Sequence, residues 1–481
     1  MIAVVNSGQS LLVKPLLRPP NGGCPVATIV IEIPESYKAV AETVLALAET
    51  LEKLTHPRRR VTDFAETEAE VASKVAAVER AAMGEVLRSL DLASDRVRYG
   101  GKLWTSLGLS EKTYFTQAGP TTISRTLYRE VGVHNGPTID VVALRAGIVG
   151  DGWLPGAAKA MAHLLQQGTA REAETTSRRM ARLPYSRSSF ERVGHLVGEL
   201  YVARRLEIEE ELVESLVVPR EAESVSIALD RVALPMHEIV IDEKGEEQVT
   251  RAWHMAHVGA LTLHDAEGKA MQTVRYSCMP KGDIEGIVES LHGDLIHVLG
   301  QRRKLRVVKL ADGAAEMRRR LDVIADGIAD DAVDLVDFWH AVEKLGKAAR
   351  AFAREDVAKR ILSQWKAWLL NDNNAVDRIR SELNEHRVLP AVDEVLTYLK
   401  NQAHRMGYAA ARAAGLPIGS GNVEASCKSI VRLRMVRGGS RWTHAAGERV
   451  LHLRALAQSD RWDDGIALTL KPLRKKVRHV A

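Results

Sequence analysis

The spacing of apolar and polar positions changes along the chain, and each change marks a new kind of element. Residues 35–54 and 63–90 carry Ala, Leu and Val at helical spacing on either side of His56-Pro57-Arg58-Arg59-Arg60, which predicts a helical hairpin. From 94 to 131, Thr, Tyr, Ser and Arg cluster around Gly100-Gly101 and Gly119-Pro120. That pattern predicts a small β module with a hairpin into 121–128. Helical spacing returns over 154–166 and 169–181, and Ser186 or Ser188 opens a third helix through Phe190 and Val197. Ser188 and Glu191 have the spacing of a capping box. A long connecting helix is expected over 199–217. Nearer the N-terminus, 26–33 has the composition of a strand between Pro- and Gly-marked loops.

At Ser224 the pattern changes again. Val225-Ser226-Ile227-Ala228-Leu229 predicts a strand ending at Asp230, and 250–263 and 269–278 predict two more, joined by a hairpin with Gly268 in its turn. A helix over 286–300 follows. Leu305-Arg306-Val307-Val308-Lys309-Leu310 is then a short buried strand stopping at Asp312-Gly313. A helix over 314–324 leads to a last strand, 333–338, ending in Asp337-Phe338-Trp339-His340. Strand, helix, strand implies parallel neighbours, and in such sheets chemistry gathers at the carboxyl ends of the strands. Asp312 and Asp337 both fall there. The chain is then helical to 414, with Trp365, Trp368 and Leu369 marking a core face. After the loop 415–421, Val423 starts a helix that carries Glu424. The expected divisions are a helical region (1–93), a β-rich module (94–150), a helical region and connector (151–217), the first part of an α/β core (218–344), a helical insertion (345–414), and the end of the core with a basic tail (415–481).

Composition narrows the class. The 481 residues suffice for several domains with real cores, and 62 acidic residues nearly balance 67 basic ones, so net charge alone does not mark a nucleic-acid binder. Cys24, Cys278 and Cys427 are widely spaced and odd in number, which fits neither a disulfide framework nor a zinc site and favours a reducing cytoplasm. No apolar stretch is long enough for a membrane span, and no signal peptide is apparent at the N-terminus.

Three antiparallel strands followed by parallel ones form the ribonuclease H-like layout, in which the first strand's end lies beside the fourth's. Asp230 and Asp312 are then expected to meet, with Glu424 delivered by a helix packed against that edge. Three carboxylates there suit Mg²⁺ (or Mn²⁺), and two such ions support in-line phosphoryl displacement without a protein nucleophile. Asp334 lies three residues before Asp337 on the predicted strand and is expected on its opposite face. His254 and His257 are likewise on opposite faces, which makes them a poor metal pair.

The chain resembles the DDE transposases of bacterial insertion sequences, of the Kra-type group. The matching pieces are Ile227-Ala228-Leu229-Asp230, Asp312-Gly313-Ala314, Asp337-Phe338-Trp339-His340-Ala341-Val342-Glu343, and Leu416-Pro417-Ile418-Gly419-Ser420-Gly421-Asn422-Val423-Glu424-Ala425-Ser426-Cys427-Lys428, continuing into Arg441-Trp442-Thr443. The resemblance spans roughly 220–456, and more loosely 95–217. It implies an α+β multidomain protein: a helical and small β N-terminal DNA-binding region, then a ribonuclease H-like α/β core with an all-helical insertion before the last catalytic acid. It further implies catalysis and metal binding by Asp230, Asp312 and Glu424. The auxiliary Asp337 and His340 match an Asp-x-x-His signature, in which the histidine contacts the scissile phosphate or orients a carboxylate; a structural histidine at the strand-to-helix junction fits the sequence equally well. The first Asp is usually followed by Gly, and here by Arg231, which sets a cation beside a metal ligand.

The implied partner is double-stranded DNA, both element ends and target, bound by a homodimer or larger assembly near the nucleoid. Arg178, Arg179, Arg182, Arg187 and Arg192 surround a helix, turn and helix of the kind that enters a major groove. An ordinary helical pair with solvated arginines fits the same residues. On the Glu424 helix, Lys428 and Arg432 follow the glutamate at four-residue spacing, while Val423, Cys427 and Ile430 form an apolar stripe. Arg434, Arg437 and Arg441 extend the positive charge. A ribonuclease H-like nuclease or resolvase, and a domesticated DNA-binding regulator, are the competing functions.

Overall fold

The computed structural model describes residues 2–7, 10–15, 32–56, 63–241 and 245–480. Most of the strand expected over 26–33 lies outside them. The protein is mixed α/β and separates into two compact units, one of residues 1–197 and 470–481, the other of 198–469. No described helix is long and apolar enough to cross a membrane.

The first unit opens with three antiparallel strands, β1 (Ile2–Ser7), β2 (Ser10–Pro15) and β3 (Glu32–Pro34). The helical hairpin follows as α1 (Lys38–Leu54) and α2 (Phe64–Arg88), the latter capped by Asp63 accepting from the Ala65 amide. A meander packs beside it: β4 (Arg96–Tyr99), β5 (Lys102–Thr116), β6 (Gly119–Glu130) and β7 (Thr138–Asp140), with Arg478-His479 pairing outside β4. Gly100 and Gly101 turn β4 into β5 with φ of 58° and 78°, a conformation that favours glycine at both positions. Leu87 of α2 shares a core with Tyr114, Ile123, Val142 and Ile148. Four helices follow: α3 (Val141–Ala146), α4 (Pro155–Gln167), α5 (Ala170–Arg179) and α6 (Arg187–Val202). The hydrogen-bonded capping box belongs to α5, between Thr169 and Glu172. Helix α6 begins at Arg187, ahead of the Ser188 expected to cap it, and the Phe190 amide bonds to the Ser186 carbonyl.

The expected long helix over 199–217 is broken. Helix α6 ends at Val202, and α7 (Arg205–Val213) starts anew after Arg204. The break lets Arg205 turn inward, where it is 5% exposed and pairs with Glu209 at 2.8 Å and Asp283 at 2.6 Å. One face of helix α7, with Arg205, Ile208, Glu209 and Leu212, is thus buried in the second unit.

The second unit is built on β8 (Ser224–Ile241), β9 (Glu247–His264), β10 (Ala270–Cys278), β11 (Arg306–Ala311) and β12 (Val333–Val336), in spatial order β10-β9-β8-β11-β12. The first three are antiparallel; β11 runs parallel to both β8 and β12. Alternation divides the strands between two cores. Ile227, Leu229 and Val307 face α8 (Ile284–Gln301) and α9 (Ala315–Ala325). Ala228, Val232, Leu234, Val308, Leu310 and Leu335 face the opposite side. Strand β8 does not stop at Asp230 as expected. It runs on to Ile241, paired along its length with β9 and bridged to Trp442 at Met236, so Asp230 lies just past the end of its pairing with β11. Strand β12 is shorter than expected because the Asp337 side chain caps α10 (Phe338–Phe352). Helices α11 (Glu355–Asn371), α12 (Ala375–Asn384), α13 (Pro390–Gln402) and α14 (Tyr408–Ala413) complete a helical block with its own core, including Trp365, Ile379, Val392 and Tyr408.

Past the loop 415–420, α15 (Gly421–Ser426) leads into a π turn, Cys427–Arg432, and then α16 (Leu433–Met435). Val423, Cys427, Ile430 and Val431 seat this run on the second face of the sheet, with Leu451 of α17 (His444–Gln458) beside them.

A carboxylate site at the ends of three parallel strands

Strand register sets three aspartates at one level. Leu310 pairs with Ala228 and Ala311 with Val336, so extending each strand brings Asp312 level with Asp230 on one side and Asp337 on the other. Neighbouring strands lie about 4.8 Å apart. Asp230 alternates with Ala228 and Val232, Asp312 with Val308 and Leu310, and Leu335 is the last inward residue before Asp337. All three side chains therefore leave the sheet on the face where α15 packs. Glu424 lies on α15, its amide bonded to the Ser420 carbonyl at 3.0 Å.

The electrostatics match this convergence. Burial pushes the Asp230 carboxyl up and the Asp312 charge adds to the rise, while the Arg231 amide (2.6 Å), the Cys427 thiol (3.4 Å to Oδ2) and the His340 imidazole oppose it. Glu424 is open to solvent, yet its carboxyl is also raised, by partial desolvation first and then by the charges of Asp337 and Asp230. His340 acts on both acids in the stabilising sense. Burial, followed by the Asp230 charge, holds the Cys427 thiol far above its ordinary value, so it stays protonated and donates. Asp312 is half-buried and turns the chain through a hydrogen bond from the Ala314 amide at 2.9 Å.

Asp337 has a tying role. It is 1% exposed and accepts three hydrogen bonds: Oδ1 from the His340 amide at 2.6 Å, and Oδ2 from the Ser420 hydroxyl at 2.8 Å and the Ser420 amide. The Phe338 amide also donates to the Ile418 carbonyl at 3.1 Å. The strand end, the start of α10 and the loop entering α15 are joined at one carboxylate. Ser420 lies within the Leu416–Lys428 stretch that carries the family resemblance, but nothing local marks its role, because its partner lies 83 residues earlier in the chain.

Arg231 causes no conflict with its neighbour. It follows Asp230 on a continuous strand, so its side chain leaves on the opposite face, where it pairs with Glu316 of α9 at 3.2 Å. Asp334 also turns away, to Arg318 and to Arg405 at 2.8 Å. His254 bonds to Glu238 at 2.6 Å.

Lys428, Arg432 and Arg441 are exposed, and Arg437 is half-buried. Arg434 departs from the expectation of an outward charge: it is 4% exposed, its guanidinium 4.9 Å from the Trp442 ring centre. It lies four residues after Ile430, on the buried stripe, and the aromatic face accommodates its charge there. In the first unit, Arg178, Arg179, Arg187 and Arg192 are exposed, with Arg178 3.3 Å from Glu174. Arg182 instead clamps Glu79 of α2 through two bonds, at 2.5 and 3.0 Å, and also reaches Gln117. It is a structural brace in this arrangement.

The donor set of carboxylate oxygens suits a hard divalent cation. Among the described residues, no three His, Cys, Asp or Glu side chains converge closely enough to be a ready-made metal cage.

No family model matches the chain, and no curated protein matches it. Among solved structures it is similar to the Drosophila P element transposase strand transfer complex, at 10% identity over 66% of this chain and 81% of that one, with a TM-score of 0.24. So loose a likeness carries no argument.

Proposed function

We propose that the protein is a DNA transposase of the DDE type, with a ribonuclease H-like core, acting on the ends of an insertion sequence. The observation that carries this reading is that Asp230 and Asp312 stand level at the ends of parallel strands, on the face of the sheet where the helix bearing Glu424 packs. After burial, the charge of Asp312 raises the Asp230 carboxyl and those of Asp337 and Asp230 raise the Glu424 carboxyl, as expected of acids arranged to share a cation. Asp230, Asp312 and Glu424 are the residues that would hold two Mg²⁺ (or Mn²⁺) ions, which when bound supply charge stabilisation to the attacking and leaving oxygens of a phosphodiester. Asp230 is held in place by the Cys427 thiol and the Arg231 amide. His340 would contact a scissile phosphate oxygen or orient a carboxylate, and Asp337 fixes its backbone. Lys428 and Arg432 face solvent beyond Glu424 and suit the DNA backbone on either side of the cut. Exposed Arg178, Arg179, Arg187 and Arg192 are the candidates for reading the terminal repeat, with two copies of the chain bringing two ends together.

The test incubates the full-length protein with DNA bearing the inverted repeats that flank its gene, with Mg²⁺ or Mn²⁺, and follows nicking at the repeat end and joining of the 3′-hydroxyl to a target. Repeat-specific cleavage with strand joining supports the proposal. Cleavage of branched or hybrid substrates regardless of the repeat means a nuclease or resolvase. Repeat binding with no cleavage under either metal means a regulator.

A further inference from the structure

The meander sheet of the first unit gathers positive charge on one face. Strand pairing sets Arg98 directly opposite Arg478, and Arg96 in one row with Thr105 and Arg129. Alternation puts all four arginines on the face away from Val97, Trp104, Tyr128 and Val477, which form the core behind the sheet. From strand spacing and rise, the four occupy a patch of about 7 by 14 Å. Arg96, Arg98 and Arg478 are exposed, and Arg129 is half-buried with no hydrogen-bond acceptor for its Nε among the described residues. Among the described residues, no carboxylate forms an ion pair with any of the four. Asp95 and Glu130 each adjoin an arginine in sequence, so alternation sends them to the other face, and Glu130 meets Lys102 at 2.8 Å. Elsewhere the same sheet does neutralise its cations: Arg125 and Lys112 lie 2.8 and 3.7 Å from Asp140. Arg474, Lys475 and Lys476, exposed just before the strand Arg478–His479, add charge at its edge. That strand is held by the Val480 amide on the Arg96 carbonyl at 3.2 Å and by the Lys475 amide on the Leu144 carbonyl at 2.8 Å. Like charges directly opposed across two strands destabilise the sheet. Solvation alone leaves that repulsion in place, whereas an anionic ligand removes it.

We propose that this face, with Arg96, Arg98, Arg129 and Arg478, binds the phosphate backbone of duplex DNA independently of sequence. It shares no residue with the carboxylate site or with the arginines of α5 and α6. The choice of DNA rests on the reading of the carboxylates as a DNA-cleaving site; the anionic character of the ligand does not. A guanidinium fork matches two phosphate oxygens at once. Duplex DNA carries one negative charge per ~1.7 Å of axis, so a patch of this length meets several phosphates. A face four strands across is too broad to enter a major groove about 12 Å wide, so it reaches the backbone and not the base edges. It therefore positions the duplex without reading it.

The experiment measures binding of the full-length protein to a random-sequence DNA duplex and to repeat-end DNA over a range of salt. Arg98→Ala and Arg478→Ala should each lower the slope of log binding constant against log salt by about one unit on both duplexes, with repeat preference unchanged. Arg98→Glu should bind DNA more weakly than Arg98→Ala. Without DNA its thermal midpoint should equal or exceed that of the wild type, because the new carboxylate faces Arg478. Lys38→Ala, at an exposed position of α1, should leave the slope alone. Wild-type slopes in both alanine variants overturn the proposal. So does a slope loss in Lys38→Ala equal to theirs, which makes net charge the cause. A lower thermal midpoint in Arg98→Glu overturns it too, by removing the repulsion on which it rests. Weakened binding to duplex RNA with wild-type binding to DNA assigns the face to RNA and likewise overturns it. If the wild type shows no repeat preference and no cleavage while the slopes on random DNA fall as stated, the transposase reading fails and this face stands. If the repeat is cleaved while both alanine variants keep wild-type slopes, the face fails and that reading stands.

Discussion

Replacing Asp337 tests how the site is held together. Its carboxylate takes three donors, one on Oδ1 and two on Oδ2, so an acceptor-only group is required. Asparagine turns one acceptor into a donor, and either orientation sets its NH₂ against an N–H. Asp337→Ala removes the α10 cap, at about 0.5–2 kcal/mol. It also leaves the buried Ser420 amide and hydroxyl without their acceptor, at roughly 1–3 kcal/mol each. A total of about 2.5–8 kcal/mol follows, concentrated where α10 and the 415–420 loop meet rather than spread over two units. Hydrogen exchange on the full chain is the suitable assay, because a single unfolding free energy is ill-defined for a protein of two units. Amides of 338–341 and 418–424 should exchange at least about a hundred-fold faster in Asp337→Ala, at tenfold per ~1.4 kcal/mol, while those of β5 and β6 are unchanged. Asp337→Asn should behave nearly as badly, and Ser420→Ala, which keeps the amide bond, should be several-fold milder. Cleavage should fall through turnover rather than DNA affinity, since the loop orients Glu424. Exchange within a few-fold of wild type in both Asp337 variants would refute the idea that this carboxylate ties the loop to the helix.

Asp230→Asn, Asp312→Asn and Glu424→Gln should each abolish cleavage and strand joining while leaving repeat binding intact; full activity in any one removes that residue from the site. Lys428→Ala and Arg432→Ala should each reduce the slope of log binding constant against log salt by about one unit without changing repeat preference. Arg434→Ala should instead lower thermal stability and leave the salt slope alone, because its guanidinium is buried over Trp442; a changed slope with unchanged stability would return it to the DNA-facing set. Burial lowers the pKa of His264 to about 4, so the folded protein keeps it neutral while the unfolded chain takes up a proton near 6.5. Its contribution is therefore complete above pH 6.5 and is lost as pH falls toward 4, by about 3 kcal/mol in all. His264→Gln should flatten that part of the stability profile of the second unit, and an unchanged slope argues against a neutral buried imidazole.

The sequence makes some of this architecture legible for a physical reason. Strands β11 and β12 are covered on both faces, so they read as short apolar runs cut off by turn chemistry. Asp312 and Asp337 are therefore assignable to strand ends from the residue pattern alone. Strand β8 defeats the same reasoning. Beyond Asp230 it stays buried at Val232 and Leu234 and reaches exposed residues such as His237 only further on, with continuous pairing to β9 and no turn chemistry to mark an end at the aspartate. The break between α6 and α7 is hidden likewise: Arg205 looks like a solvated helix residue until Glu209 and Asp283 are seen around it.

The Glu424 helix shows where periodicity stops being enough. Four-residue spacing correctly separates the buried Val423, Cys427 and Ile430 from the exposed Lys428 and Arg432. The same spacing puts Arg434 on the buried stripe, so reading it as an outward charge put residue type above position. Even strict α spacing fails to explain why Ile430 and Val431, adjacent in sequence, are both fully buried. The π turn over 427–432 explains it, because one extra residue per turn widens the inward arc. That turn begins at Cys427, whose thiol reaches Asp230 on a strand 197 residues earlier. The placing of Glu424 against Asp230 thus depends on a backbone irregularity with no signature in composition, and on a contact between residues whose separation carries no local signal. Strand register sets Asp230 level with Asp312, while the position of Glu424 relative to them comes from the packed helix.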